Sequence, residues 1–163
     1  MVTLNNQNLQ TSFDRDGYIS ISPLFSVEKV EEIKNELTRY IKEVAPNVPD
    51  HHIFYENKDD KTTIKQLQQM FTYDDYFKEL IENSSIREVA EIVLREKAEP
   101  KNLQFFNKPP GIGKPTPPHQ DGYYFMLKKH NAVTCWLALE KVDEENGCIH
   151  YVKGSHKSEY RPH

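Results

Sequence analysis

The sequence contains no run of about 18 consecutive apolar residues, the length that a membrane-spanning helix requires. Its first residues, MVTLNNQNLQTSFDRDGY, lack both the basic start and the apolar core of a secretory signal. The 21 lysines and arginines are outnumbered by 25 acidic residues and are scattered along the chain, which argues against a nucleic-acid-binding surface. These absences predict a cytoplasmic protein that binds neither membranes nor nucleic acids.

Cysteine is also scarce, which bears on how the fold is stabilised. Cys135 and Cys148 fit no C-x-x-C spacing, and we interpret them as free thiols rather than as a disulfide. A length of 163 residues with 37% hydrophobic and 28% charged residues is typical of one globular domain and short for two. We therefore treat residues 1–163 as a single domain.

The first hundred residues are predicted to be mostly helical. Apolar residues recur every three or four positions between Ser26, the predicted N-cap, and Pro46, which ends this helix. Further helices are predicted around YDDYFKELIEN and after a capping box that begins at Ser85. Residues 46–61 are predicted to form a loop.

From Asn102 onward the pattern changes to short strands. NLQFFN is a predicted strand, and KPPGIGKPTPP, with five prolines and two glycines, is a predicted loop. HQDGYYFML, AVTCWLALEKV and GCIHYVKGS are predicted strands separated by turns at KKHN and DEENG. Helices followed by strands predict an α+β chain in which the N-terminal helices pack on a β-sandwich or barrel.

His119 and Asp121 form a candidate metal site. On a strand, residues two apart project from the same face about 6.5 to 7 Å apart, so both side chains can lean toward one point while Gln120 faces away. An imidazole and a carboxylate suit Fe(II), and a second histidine would complete a facial triad that leaves three coordination positions open. Taken alone, the triplet is equally consistent with an ordinary polar turn.

The surrounding sequence favours the metal site. Five motifs follow in order: Lys108-Pro109-Pro110-Gly111, His119-Gln120-Asp121, Trp136 with Ala138-Leu139, Asn146-Gly147-Cys148 and Gly154-Ser155-His156-Lys157. Together with the upstream stretches FDRDGYISISPLFSVEKVEEI and TIKQLQQM, they resemble the phytanoyl-CoA dioxygenase family of Fe(II)- and 2-oxoglutarate-dependent oxygenases. The resemblance covers nearly the whole chain.

The resemblance implies a double-stranded β-helix, a cupin-like jelly roll of eight strands with the N-terminal helices packed on it. Residues 1–100 would form the helical part and residues 102–163 the first strands. At about 10 residues per strand and turn, the second range supplies only four or five strands. We therefore expect a domain that is incomplete at its C-terminus, as a fragment, or one that a second chain or a swapped dimer completes.

The resemblance also implies roles for individual residues. His119 and Asp121 would be the first two iron ligands, whereas His156 belongs to a turn that the family uses structurally. The third ligand, a histidine, and the arginine that binds the far carboxylate of 2-oxoglutarate are expected beyond His163.

Four residues are candidates for binding the 2-oxoglutarate cosubstrate. Lys65 matches a lysine that approaches the carboxylate of 2-oxoglutarate in related enzymes, and Trp136 would stand beside the pocket. Gln104 and Asn107, on the strand before the proline-rich loop, would line the same pocket. The simpler alternatives are a solvated lysine for Lys65, core packing for Trp136, and sheet or turn positions for Gln104 and Asn107.

The implied activity is hydroxylation of a small organic substrate by a non-haem Fe(II)/2-oxoglutarate-dependent dioxygenase. Halogenating relatives carry a small residue where the carboxylate stands, so Asp121 favours hydroxylation. The alternatives are a non-catalytic, cupin-like binding or interaction module, and one component of a split enzyme.

Overall fold

The structure, a computed structural model, describes residues 6–125 and 131–158. The helices are α1 (Asn6–Asp16), α2 (Val27–Arg39), α3 (Met70–Tyr73), α4 (Asp75–Glu82), α5 (Ser85–Leu94) and α6 (Asp121–Phe125), and the strands are β1 (Ile53–Tyr55), β2 (Ile64–Leu67) and β3 (Phe105–Phe106). The architecture is α+β, as predicted. None of the helices in the described ranges is long and apolar enough to cross a membrane. The predicted turn at residues 128–131 falls largely outside the described residues, as do the final residues 159–163.

Helix α2 begins where the sequence predicts. The Ser26 hydroxyl accepts a hydrogen bond from the backbone N–H of Lys29 at 3.2 Å, which satisfies one of the unpaired donors of the first turn. The helical path continues beyond Arg39 as a π-helical turn, Tyr40–Val44, and a 3-10 turn, Ala45–Asn47. Proline then ends it, because Pro46 cannot donate the backbone hydrogen bond that a further α-helical turn needs.

Helices α2 and α4 enclose one hydrophobic core with the sheet. Tyr40, Leu67 and Met70 are its most buried large side chains, and the Tyr40 ring meets Phe77 edge-on with 5.4 Å between ring centroids. Burial, with a contribution from the charge of Asp74, raises the pKa of Tyr40 to about 12. The buried members are Ile33, Leu37, Tyr40, Ala45, Val48, Leu67, Met70, Phe77 and Leu80.

The helices predicted around YDDYFKELIEN and after the capping box are present as α4 and α5, with one correction at the start of α5. Its N-cap is Ser84, not Ser85: Ser84 has extended backbone angles, and its hydroxyl accepts from the N–H of Ile86 at 3.3 Å. Ser85 is already helical. Two adjacent serines offer the same capping chemistry, so the sequence pattern alone did not distinguish them.

The three strands form one antiparallel sheet in the order β1–β2–β3. Ile53 pairs with Leu67, and Leu67 in turn pairs with Phe105. The strand predicted within NLQFFN is therefore confirmed, whereas the prediction of a loop over residues 46–61 is wrong at β1. Three residues are too few to show a strand's alternating pattern, and pairing with β2 decides the conformation.

Within the described residues, the three strands predicted after the proline-rich loop are not formed; the last two positions of the first, residues 126 and 127, lie outside those residues. Asp121–Phe125 is a short helix, and residues 132–142 and 147–154 are irregular. A strand satisfies its backbone by pairing with a neighbour, and within the described ranges β3 pairs with β2 and no further strand. Part of the strand-like alternation persists, because Leu137 and Leu139 pack against the core while Trp136 is 46% exposed.

Candidate functional site

The proline-rich segment 108–118 leads from the sheet to the predicted metal ligands. Its start is anchored beside β2, because the Asn107 N–H donates to the Lys65 carbonyl at 2.8 Å. Proline fixes the φ angle at five positions of the segment, which restricts the path that delivers His119.

His119 and Asp121 converge at the end of this segment. His119 Nε2 lies 3.2 Å from Asp121 Oδ1, and the side chains are 36% and 46% exposed. The prediction placed both residues on one strand, and that placement is wrong: His119 is irregular and Asp121 is the first residue of α6. The turn into the helix brings the two side chains together instead.

The other ring nitrogen of His119 fixes how the ring can act. Nδ1 lies 2.8 Å from the carbonyl oxygen of Pro117. Because a carbonyl can only accept, Nδ1 carries the hydrogen, and a neutral ring then presents a bare lone pair at Nε2. That lone pair faces the Asp121 carboxylate, which also only accepts. Two acceptors at this distance favour a cation between them, either a proton on Nε2 or a metal ion.

The spacing of the two donor atoms fits a metal ion. Adjacent ligands of an octahedral ion at about 2.1 Å lie about 3 Å apart, close to the observed Nε2–Oδ1 distance. A backbone carbonyl that holds the distal imidazole N–H is also the usual outer partner of a metal-bound histidine. The Tyr124 ring meets His119 edge-on, with 5.9 Å between centroids. The residues present therefore fit the implied Fe(II).

Thr134 holds the second oxygen of the carboxylate. Thr134 Oγ1 lies 2.6 Å from Asp121 Oδ2, so the two Asp121 oxygens have different partners. Within residues 6–125 and 131–158, no group of three histidine, cysteine or acidic side chains is arranged to hold a metal ion. Among the described residues, His119 and Asp121 are thus two candidate metal donors that lie together.

Lys65 lies on β2 beside a buried carboxylate. Its Nζ is 3.8 Å from Glu56 Oε1, and only 5% of the Glu56 side chain is exposed against 34% of the Lys65 side chain. The same Glu56 oxygen is 3.5 Å from the backbone N of Lys114 in the proline-rich segment. Glu56 therefore connects the predicted cosubstrate lysine with the segment that leads to His119.

Gln104 and Asn107 take structural positions beside Lys65. The Gln104 side-chain oxygen accepts from Gln66 Nε2 at 2.7 Å, across the β2–β3 pair. Asn107 Nδ2 donates to the Ile64 carbonyl at 3.0 Å. Both contacts extend the pairing of the sheet, so a role in cosubstrate binding stays a prediction for these residues.

Two aromatic residues of the C-terminal part, Trp136 and Tyr151, are about half exposed. Trp136 is 46% exposed and therefore is not a core residue. Partial burial, with a smaller contribution from the charge of Asp121, raises the pKa of Tyr151. Tyr151 stacks on Tyr18 with 5.2 Å between ring centroids, and this contact joins the C-terminal part of the chain to the segment that follows α1.

A set of contacts that we call the N-terminal clasp joins the end of α1 to the GSHK turn. The Gly154 N–H donates to the Asp16 carbonyl at 2.8 Å, and His156 Nε2 lies 3.1 Å from the Asp14 carbonyl. A Cβ on Gly17, whose φ is +82°, would lie 2.3 Å from His156 Nδ1. His156 thus has the structural role that the resemblance implies.

Two site residues escaped the sequence analysis. Thr134 is 13 positions from Asp121, and no local pattern indicates that its hydroxyl reaches the carboxylate. Glu56 falls within the range predicted as a loop. A strand prediction for β1 would have placed Glu56 directly after a strand, at the same sheet end as Lys65.

Known proteins resemble this chain along most of its length. The sequence model of the family described as phytanoyl-CoA dioxygenase (PhyH) matches residues 13–163. Peroxisomal phytanoyl-CoA dioxygenase of Bos taurus is 28% identical over 93% of this chain and 48% of its own length. Phytanoyl-CoA dioxygenase 1 of Oryza sativa subsp. japonica is 25% identical over 88% of this chain and 53% of its own length. No solved structure matches the chain significantly.

The chain spans about half the length of these two relatives. The family match nevertheless includes the residues described above, from the N-terminal clasp through His119, Asp121 and Thr134. The sequence motifs, the convergent histidine–carboxylate pair and the family match agree: the chain belongs to the phytanoyl-CoA dioxygenase (PhyH) family.

Proposed function

We propose that this chain carries the first two iron ligands of an Fe(II)- and 2-oxoglutarate-dependent dioxygenase that hydroxylates a small organic substrate. The observation that carries the proposal is the pair of donor atoms His119 Nε2 and Asp121 Oδ1, 3.2 Å apart, with the histidine tautomer set by Pro117. Membership of the PhyH family supports the same chemistry.

When bound, iron and 2-oxoglutarate would couple decarboxylation of the cosubstrate to succinate with transfer of one oxygen atom from O2 to a substrate C–H bond. The chain's own residues position these partners. The Pro117 carbonyl keeps the proton on His119 Nδ1, so that the lone pair of Nε2 stays available to bind a metal ion. The Asp121 carboxylate supplies negative charge and occupies the place that a halide would need, which favours hydroxylation over halogenation.

We further propose that residues 102–163 form the first part of a jelly roll, which strands from a further segment or from a second, swapped copy complete. Exposed apolar side chains on irregular segments support this proposal: Trp136, Tyr151 and Val152 are 46%, 48% and 74% exposed. The histidine that is the third ligand and the arginine that binds 2-oxoglutarate are expected from those strands.

The substrate is proposed only as a class. The exposed rings of Tyr123 and Tyr124 beside His119 suit an organic molecule with apolar surface. A cytoplasmic location stays a prediction for this protein. The bovine relative is named as peroxisomal.

The proposal is tested by turnover of the cosubstrate, which does not require that the substrate be known. Full-length protein supplied with Fe(II), 2-oxoglutarate and oxygen is expected to release succinate, and omission of Fe(II) is expected to stop the release. Folded, iron-supplied protein that releases no succinate under any of these conditions would contradict the proposal.

Lys65 is expected to contribute to cosubstrate binding, and its contact with Glu56 determines how this should be tested. Lys65→Met removes a charge-assisted hydrogen bond, and we expect the 2-oxoglutarate concentration for half-maximal succinate release to rise at least about tenfold. The same change leaves Glu56 buried without its cation and lowers the free energy of unfolding.

The double variant Lys65→Met/Glu56→Gln separates these two effects. It is expected to regain stability, measured by urea denaturation, while keeping the raised 2-oxoglutarate requirement. If removal of the Glu56 charge also restored the cosubstrate requirement, the role of Lys65 would be structural only.

A further inference from the structure

Thr134 has a hydroxyl whose partner is one oxygen of the proposed iron ligand. From this contact we infer that Thr134 is a positioning residue that restricts Asp121 to a single metal-binding oxygen. The inference rests on the proposed function, because it assigns a role around the same iron.

The geometry gives the two Asp121 oxygens separate tasks. An ionised carboxylate only accepts hydrogen bonds, so Thr134 Oγ1 donates to Oδ2, and the 2.6 Å distance is typical of a strong O–H···O⁻ bond. Oδ1 faces His119 Nε2 at 3.2 Å. With Oδ2 engaged by the hydroxyl, Oδ1 alone is aimed at the shared metal position.

The segment that carries Thr134 is anchored to the core a few residues further along. Leu137 and Leu139, a few residues further along the same segment, pack against the hydrophobic core. Thr134 is therefore held from the core side, although it is itself exposed and lies outside regular secondary structure. A threonine anchored in this way limits rotation of the Asp121 carboxylate about its χ2 angle.

Binding of Asp121 through one oxygen matters because the metal ion has few coordination positions. A two-histidine, one-carboxylate triad would leave three positions open for 2-oxoglutarate and oxygen. A carboxylate that bound through both oxygens would take one of these positions. Thr134 thereby keeps the position available as well as orienting the ligand.

The test compares Thr134→Val, which keeps the side-chain shape but removes the donor, with Thr134→Ser, which keeps the donor. Full-length protein is titrated with Mn(II), an oxygen-stable substitute for Fe(II), and free Mn(II) is followed by its electron paramagnetic resonance signal. We expect Thr134→Val to weaken Mn(II) binding about tenfold. Loss of a residue that hydrogen-bonds a metal ligand typically weakens binding about 10- to 100-fold, and we expect the smaller value because water can replace the hydroxyl at this exposed site. Thr134→Ser is expected to bind Mn(II) like the wild type.

Thermal denaturation of the metal-free variants checks the fold, and we expect it to be unchanged because Thr134 is exposed. If Thr134→Val binds Mn(II) as tightly as the wild type, the inference is wrong while the proposed function stands. Equal losses in the valine and serine variants would also overturn it, because the hydroxyl would then not be the cause. Wild-type protein that fails to bind Mn(II), or binds it equally well after His119→Ala, would overturn the proposed function and this inference together.

Discussion

His119→Ala is expected to reduce Fe(II)- and 2-oxoglutarate-dependent succinate release by more than about 100-fold. Outer-shell partners of a metal ligand already contribute about 10- to 100-fold in affinity or activity, and loss of the ligand itself should cost more. The expected loss follows from the geometry: without the ring, Asp121 Oδ1 is the one donor that remains of the pair. The measurement is succinate formed by full-length protein at saturating Fe(II).

The matched control is His150→Ala, which removes an exposed histidine from the same C-terminal part of the chain. His150 Nε2 lies 3.5 Å from Cys148 Sγ, and His150 has no role in the proposed site. The activity of His150→Ala should therefore stay near that of the wild type. Added imidazole is expected to restore part of the activity of His119→Ala, because the ring it replaces is exposed. Equal activity of His119→Ala and wild type would show that His119 does not bind the iron.

Gly17→Ala is expected to lower the free energy of unfolding by about 2 to 3 kcal/mol. A residue with a side chain at a left-handed φ costs about 1 to 2 kcal/mol, and displacement of the His156 ring adds to this cost. The added Cβ would lie 2.3 Å from Nδ1 and 2.8 Å from Cγ of His156, so the N-terminal clasp must open or shift. Urea denaturation of full-length protein measures the loss.

Gly111→Ala is the control that separates the two contributions. Gly111 also has a positive φ, +77°, but a Cβ there would meet no atom of residues 6–125 or 131–158 within 4 Å, so only the backbone cost of about 1 to 2 kcal/mol is expected. In a His156→Ala background, Gly17→Ala should cost no more than Gly111→Ala does. If the His156→Ala background left the cost of Gly17→Ala unchanged, the clasp would not be the cause of its effect.

The sequence predicted those parts of the fold that depend on local signals. Ser26 as an N-cap, Pro46 as an end point and the apolar rhythm between them each act within one or two helical turns, and α2 forms accordingly. β1 escaped prediction because its conformation depends on pairing with β2, whose register is set by the folded chain. Tertiary pairing outweighs a three-residue pattern.

The sequence predicted that the side chains of His119 and Asp121 converge, which they do, but it predicted the wrong backbone conformation. Metal binding by the pair stays a prediction. The spacing of His119 and Asp121 led to a strand, yet the proline-rich segment and the start of α6 bring the donors together instead. A spacing of two residues allows convergence in more than one backbone conformation. Thr134 and Glu56 reach the site through folding of distant segments, so no motif could have identified them.

The strands predicted between residues 119 and 155 show that a local pattern does not by itself produce a strand. Alternation around Trp136 is present in the sequence, and its inward members Leu137 and Leu139 reach the core. Alternation selects the faces of a strand, but the hydrogen bonds that define the strand need a partner. The sequence pattern is therefore reflected in the burial of Leu137 and Leu139, whereas the predicted strands are absent from the described residues.

The central claim is that His119 Nε2 and Asp121 Oδ1 hold one iron ion to which 2-oxoglutarate binds. Its most direct test is an anaerobic titration of full-length protein with Fe(II) in the presence of 2-oxoglutarate, followed by visible absorption. We predict the charge-transfer band of an iron–2-oxoglutarate chelate in the wild type and its loss in Asp121→Ala. A flat spectrum from folded wild-type protein, or an unchanged band in Asp121→Ala, would contradict the claim.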